Sequence, residues 1–399
     1  MNKCFKETHI VLNVSNRAYL WLLALSSLYY FINALWQTLL PLYIDSKGFE
    51  AWEVGFSVVL VMNLPWIVAI VAGLIAEKLE WRISVTLSAL VLSAVLFSLI
   101  YVSTFFELIV FLTVASFSIA LFAQASMEII AESKIEEKLG LAFASYYTTS
   151  GIAKTLGSLA AGIIVSYWNY SVLYFTASIC ALGLALLSYR KFPETQRVER
   201  PLSFMNFAKT LLSSKSFMLL AATVVVHDFS VFISASYTAL FAKKVVGLNE
   251  LEYSVLVSAR NLVYILSQPL SGLLVDKIGG IPVLATHFVF VTISYVSYGL
   301  TTGLWDLLAV HIFMGISLTL DLPARRKLIS KLAPEHKIAA SSGFIDTLVG
   351  LSTLPSPLIG GEIWTKISPR LTLITGGLAN TTALIPLLLL KKNMEEKTK

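Results

Sequence analysis

Twelve apolar runs constrain this chain more than any other feature; they lie near residues 18–44, 52–76, 82–103, 106–131, 140–167, 170–190, 216–242, 252–275, 281–303, 305–324, 338–364 and 369–390. A helix that crosses a bilayer needs about 20 mostly apolar residues, and each run meets that length. Only 14% of the 399 residues are charged, against about 25% in a soluble protein. The shortfall is too large to be a core effect, so the solvent around most of the chain is lipid. The reading is an all-α membrane protein.

The connections between runs are short, except for one polar stretch at 191–215 that contains Pro193 and Pro201. It divides the chain into a polar N-terminus (1–17), a first six-helix half (18–190), a linker (191–215), a second six-helix half (216–390) and a tail (391–399). An even number of spans puts both termini on one side. Of the 30 Lys and Arg, only Lys47, Lys243, Lys244, Lys366 and Arg370 fall on the opposite side, and Lys154 and Arg260 lie within spans. The other 23 share the side of the termini and linker. Basic residues accumulate in cytoplasmic loops, so the termini are expected in the cytoplasm of a multi-pass plasma-membrane protein. The net charge of +6 is then topology rather than a nucleic-acid footprint. The run beginning at 18 is too long for a signal-peptide core. Cys4 lies in the polar N-terminus and Cys180 in an apolar run, so no disulfide is expected.

The two halves align without a gap at an offset of 199 residues: GFEAWEVGFSVVLVMNLPWIVAIVAGLIAEKL (48–79) lies over GLNELEYSVLVSARNLVYILSQPLSGLLVDKI (247–278). Gly48 meets Gly247, Glu53 meets Glu252, Gly73 meets Gly272, Gly151 meets Gly350 and Gly162 meets Gly361. A parallel repeat of two six-span halves implies a transporter architecture, with its site at the interface of the halves near the midplane.

These residues resemble the major facilitator superfamily. Its signature follows the second span of a half as Gly, three residues, an acid, a base, any residue and Gly. The second half carries Gly272, Asp276, Lys277 and Gly279; the first carries Gly73, Glu77, Lys78 and Arg82, with Glu80 in place of the glycine. The resemblance implies that Glu77 and Asp276 act in charge latches between neighbouring helices. It also implies that spans three, six, nine and twelve pack on the outside. Two further marks of the family's antiporters are altered: GSLAAG (157–162) and SPLIGG (356–361) stand for a Gly-Pro-x-x-Gly-Gly element, and LTVAS (112–116) lacks the arginine of drug–proton antiporters.

A charge at the bilayer centre costs at least about 2.5–3.5 kcal/mol, so an intramembrane ionisable residue faces a cavity or a partner. Asp228, Arg260, Asp346 and His311 are the proton-coupling candidates. Asp228 lies about 16 Å into the seventh span at 1.5 Å per residue, and Arg260 on the antiparallel eighth span is its expected partner. Burial favours a neutral acid and a nearby cation favours the carboxylate, so such a pair can be a proton switch; a permanent ion pair and direct substrate contact are the alternatives. Candidate substrate contacts are Lys154, His227, Gln37, Asn33, Asn63, Tyr29 and Trp66.

No HExxH, GxSxG, GxxxxGK[ST] or Cys/His metal spacing is present, and these are the motifs that carry hydrolytic, phosphate-binding and metal chemistry. The expectation is a monomeric secondary transporter without cofactor or metal, driven by an ion gradient and exporting amphipathic compounds in exchange for protons. Proton-linked symport of a small polar or anionic nutrient is the alternative. A receptor or scramblase on the same scaffold is a more remote one.

Overall fold

Each run does form a helical column in the computed structural model, which describes residues 16–132, 139–191, 210–334 and 338–396. Residues 1–15, most of the linker and the last three residues lie outside the described residues, and the last helix runs to Glu396, through most of the segment read above as a tail. In the first half the columns are Asn16–Gln37 continued by Leu40–Ser46, Ala51–Ile67 continued by Ala69–Lys78, Trp81–Leu99, Phe105–Glu132, Leu139–Tyr167 and Tyr170–Lys191. In the second half they are Lys215–Ala235 continued by Thr238–Phe241 and a π turn, Glu250–Ile278, Gly280–Leu300 and Leu304–Leu332. Ile338–Thr353 with Ser356–Lys366, and Pro369–Ala379 with Leu384–Glu396, complete it. Nine of the columns, among the described residues, are long and apolar enough by composition alone to cross a membrane. The second and eleventh are interrupted, at Val68 and around Pro355. The eighth is diluted by Arg260, Asn261 and Gln268.

The repeat is visible in the local chemistry. The second span opens with a capping box on Glu50 and Glu53, and the eighth with one on Asn249 and Glu252. All four residues obey the 199 offset. Each box satisfies amide groups that the first helical turn leaves without partners. Glu107 accepts hydrogen bonds from Ser103 and Thr104, as Asp306 does from Thr302, again at matched positions. Gly48 and Gly247 share the same left-handed backbone, with φ of 88° and 86°. Where the signature loses its glycine the backbone differs: Gly279 has φ 88°, whereas Glu80 has φ −62°. The first copy turns without needing a residue that tolerates positive φ.

Packing follows the repeat as well. Within the halves, span one lies on five and seven on eleven, while three lies on six and nine on twelve. Between the halves, span five lies along eight and two along eleven. Glycine makes that seam tight. A Cβ on Gly162 would meet Leu251 at 2.9 Å, and one on its repeat mate Gly361 would meet Trp52, the mate of Leu251, at 2.6 Å.

The end of the seam away from the termini is bridged by charge. Lys244 pairs with Asp45 at 2.5 Å across the halves, and these two positions are repeat mates facing each other across the pseudo-two-fold axis. Glu250 accepts from Lys243 at 2.5 Å and from Tyr170 of the other half at 2.9 Å. An exposed pair of this kind contributes about 1 kcal/mol or less. Asp45→Lys is therefore expected to raise, up to about fivefold, the rate at which an impermeant thiol reagent on that side modifies a cysteine placed at Gln37. The double charge swap Asp45→Lys/Lys244→Asp should restore the original rate.

Candidate functional site

Between the halves lies a cavity of about 440 Å³, within the range of small-molecule sites. The first half contributes Asn33, Gln37 and Lys154, and the second contributes His227, Asp228, Arg260, His287 and Asp321. Val58, Val61, Met62, Met314 and Leu318 add apolar wall. Span nine also reaches this space, through His287, Val291, Ser294 and Tyr295. That corrects the expectation that it packs only on the outside.

Two carboxylates that line the cavity, Asp228 and Asp321, are bridged by one guanidinium. Asp321 and Arg325 stand one helical turn apart on span ten, the spacing at which side chains meet. Arg325 grips Asp321 in a fork, Nε to Oδ1 at 3.0 Å and the second terminal nitrogen to Oδ2 at 2.8 Å. Its remaining nitrogen donates to Asp228 Oδ2 at 3.2 Å, from span seven. The three side chains are 11%, 16% and 23% exposed for Arg325, Asp228 and Asp321. The partner of Asp228 is thus Arg325 and not Arg260, which the sequence suggested. Sequence reading ends span ten at residue 324, just after Pro323, and so assigns Arg325 to a loop. The helix instead runs through Pro323 to Leu332, because a membrane helix tolerates proline where neighbours re-satisfy the freed carbonyl. A visible signal was present: Asp321 and Arg325 at i, i+4 are a ready-made helical ion pair.

Arg260 lines the same cavity, yet among the described residues it has no hydrogen bond or ion pair. Lys154 is similar. Its ammonium sits 4.6 Å from the centre of the Tyr30 ring, a cation–π contact, and no carboxylate among the described residues pairs with it. Tyr30 is held in turn by Tyr146, hydroxyl to hydroxyl at 3.0 Å. Asn33 donates to Tyr29 O at 2.9 Å and accepts from Gln37 at 3.2 Å, so these two amides form one polar strip on the first-half wall.

His227 is stacked on Phe288 at 4.6 Å and makes two polar contacts. Its Nδ1 lies 2.6 Å from Asn380 Oδ1, and its Nε2 lies 3.2 Å from Nε2 of His287. His287 Nδ1 in turn lies 2.8 Å from the Ser317 carbonyl. His287 and Asn380 are therefore part of the site's polar network, although the sequence offered no spacing that would connect residues 60 and 153 positions from His227.

Other candidates lie elsewhere. Tyr29 is 1% exposed and stacks on Phe122 at 3.6 Å inside the first half. Asn63 donates to Thr353 at 2.7 Å and so ties span two to span eleven. Trp66 is 45% exposed, with its indole nitrogen on Met62 O. His311 is fully buried beside Tyr298 and Tyr253, away from the cavity lining. Asp346 on span eleven is half-buried and, among the described residues, makes no hydrogen bond or ion pair. In the signature loops, Asp276 pairs with Lys327 at 3.0 Å, linking spans eight and ten, and Gly279 ends span eight. Gly272 faces open space, Gly73 lies beside Gln124, and Lys277 sits in the last turn of span eight. Arg82 lies 3.7 Å from Glu80 and over the Tyr189 ring. The side chains of Glu77 and Lys78 lie outside the described residues.

Comparison with known proteins agrees with this architecture. The family profile described as Major Facilitator Superfamily matches residues 64–253 and again 219–399. The chain belongs to the major facilitator superfamily, and is a membrane-spanning transporter of that family. It is 26% identical over 259 residues to an uncharacterized MFS-type transporter of Methanocaldococcus jannaschii, a match covering 62% of this chain and 63% of that one. It is 23% identical over 155 residues to the quinolone resistance protein NorA of Staphylococcus aureus, covering 39% and 40%. Each match thus spans less than two thirds of the relative's length. Among solved structures, the nucleoside transporter NupG superimposes with a TM-score of 0.79 at 13% identity, over 95% of this chain and 100% of that one. A POT family transporter bound to a thioalcohol-conjugated peptide gives 0.78 at 14%, over 96% and 97%. At those identities the likeness is one of fold.

Removing one partner from a buried ionic cluster leaves an uncompensated charge and costs about 3–5 kcal/mol. Arg325→Gln is expected to lose that much, read as a large fall in the thermal unfolding midpoint of the purified protein. Arg260→Gln, which breaks no pair, should shift the midpoint little.

Proposed function

We propose that the chain is a proton-coupled secondary transporter that exports amphipathic compounds bearing an anionic group. The supporting observation is the division of labour within one cavity. One wall holds Asp228 and Asp321, both paired with Arg325 behind it; facing the same space are Lys154 and Arg260, cations without a carboxylate partner among the described residues. Unpaired cations beside apolar wall suit a ligand with a carboxylate at one end and a hydrophobic body. Asp228 is held by a single hydrogen bond, whereas Asp321 is held by two. Asp228 is therefore the member that can exchange Arg325 for a proton while Asp321 keeps the guanidinium in place. Rocking of the halves along the five–eight and two–eleven seams would carry the cavity from one face to the other.

The excess of Lys and Arg on the side of the termini supports a cytoplasmic placement of both ends. The partial similarity to NorA, a quinolone resistance protein, supports export, and quinolones are amphipathic carboxylates. Both halves of the cavity come from one chain, which supports a monomeric unit. Symport of a small anionic nutrient is the second reading, favoured by the same two cations.

A thermal-shift panel at acid and neutral pH separates these. A ligand at 100 times its dissociation constant stabilises the folded state by about 2.7 kcal/mol. A fluoroquinolone is expected to stabilise the wild type, Lys154→Gln and Arg260→Gln should each lose most of the shift, and Asp228→Asn should lose its dependence on pH. Stabilisation by small organic anions alone would favour the nutrient reading. Stabilisation by lipophilic cations alone would overturn the assignment of an anionic substrate.

A further inference from the structure

The two histidines on the cavity wall are joined in a chain whose ends are both acceptors. His227 and His287 are 3% and 1% exposed, and their Nε2 atoms face each other at 3.2 Å. Beyond His287 Nδ1 lies the Ser317 carbonyl, which can only accept. Beyond His227 Nδ1 lies the oxygen of Asn380. The amide orientation of Asn380 is set by its other contact, since its nitrogen faces the Phe288 carbonyl at 2.9 Å and a carbonyl there requires a donor. Thr292, 3.2 Å from the same nitrogen, accepts as well.

Both Nδ1 atoms must therefore carry hydrogen, and the Nε2–Nε2 contact needs one hydrogen more. A neutral imidazole carries a single N–H. Two neutral rings supply one hydrogen too few for the three contacts, so the chain closes only with an extra proton between the rings.

The surrounding charge favours that proton. Asp228 and Asp321 bring two negative charges and Arg325 one positive, so the ion cluster beside the rings is itself one charge negative, with Lys154 and Arg260 farther off across the cavity. One shared proton makes the group neutral. Asp228 Oδ1 lies 3.9 Å from His227 Nε2. The other ionisable groups around the pair are Arg260 and Lys154 across the cavity and Tyr295, about two turns along span nine, while Asp346 on span eleven adds its charge beside Asp228 and Asp321.

We propose that His227 and His287 form a proton-binding site that holds one proton between their Nε2 atoms, and that this proton is the one exchanged with the cavity during transport. Release breaks an Nε2–H bond of His227 and forms an O–H bond on Asp228, which thereby becomes neutral and lets go of Arg325. Asp228 then passes the proton to cavity water. The role in transport rests on the proton-coupled reading above, whereas the bound proton follows from the hydrogen-bond pattern alone.

Nitrogen NMR of histidine-labelled full-length protein in lipid nanodiscs counts the protons directly. Near neutral pH the wild type is expected to show the pair with three protonated ring nitrogens and a coupling across the Nε2–Nε2 contact. His287→Phe removes an acceptor and should leave His227 neutral, protonated only at Nδ1. Asn380→Leu keeps both rings but removes an end acceptor, and should lower the count from three to two. A wild-type pair with two protonated nitrogens, or an imidazolium that survives His287→Phe, overturns the site.

Proteoliposomes with an imposed pH gradient and a fluoroquinolone test the role. The ratio of gradient-driven accumulation to gradient-free exchange of the quinolone, each measured in the same variant, is expected to fall at least tenfold in His287→Phe. A wild-type ratio in that variant overturns the role in transport. A wild type with the three-proton pair but no gradient-driven movement overturns the coupled-transport reading and supports the site as a bound proton alone.

Discussion

Two carboxylates and one guanidinium in a low-dielectric interior cannot be placed independently. Arg325 is held in one orientation by the fork it makes with Asp321 on its own helix, and only its remaining nitrogen is free to reach Asp228 on span seven. This arrangement fixes how span ten faces span seven, and it determines which carboxylate can leave. Desolvation makes each of these charges expensive alone, so the cluster acts as a unit. The histidines beside it continue the same electrostatic problem, since their ring nitrogens share the space with Asp228.

The cavity around the cluster exists because the halves meet along two repeat-related seams. Spans five and eight, and spans two and eleven, approach closely at small residues such as Gly162 and Gly361. Near the bridged end, Asp45 and Lys244 complete the closure. A symmetric frame thus encloses an asymmetric interior: Tyr29 packs against Phe122 in the first half, where its repeat mate Asp228 enters the ionic cluster in the second. The same backbone plan serves structure on one side and chemistry on the other.

Much of this was legible from composition and pattern. The runs, the 199-residue repeat and the signature residues led to the correct fold because helical spans and duplicated halves leave periodic marks that survive in one dimension. Residue placement was less legible. Asp228, Lys154, Arg260, His227, Asn33 and Gln37 do share the cavity, since intramembrane polarity points inward whatever the details. Tyr29, Asn63, Trp66 and His311 do not line it, because aromatic and amide side chains serve packing as readily as binding. Arg325 was missed through Pro323, a residue that ends helices in water more reliably than in a membrane bundle.

By itself the sequence determined that this chain crosses a membrane in two related halves and carries buried charge mostly in the second. Those are consequences of solvent and chain pattern, which act residue by residue. Only the tertiary structure decided which charges meet. That Arg325 rather than Arg260 takes Asp228, that His287 on an expectedly peripheral span faces His227, and that Lys154 meets an aromatic ring instead of a carboxylate depend on helix rotation and depth to within an ångström or two. Electrostatic and hydrogen-bond partnership falls off over that same distance, so it is settled by packing and not by any spacing in the chain.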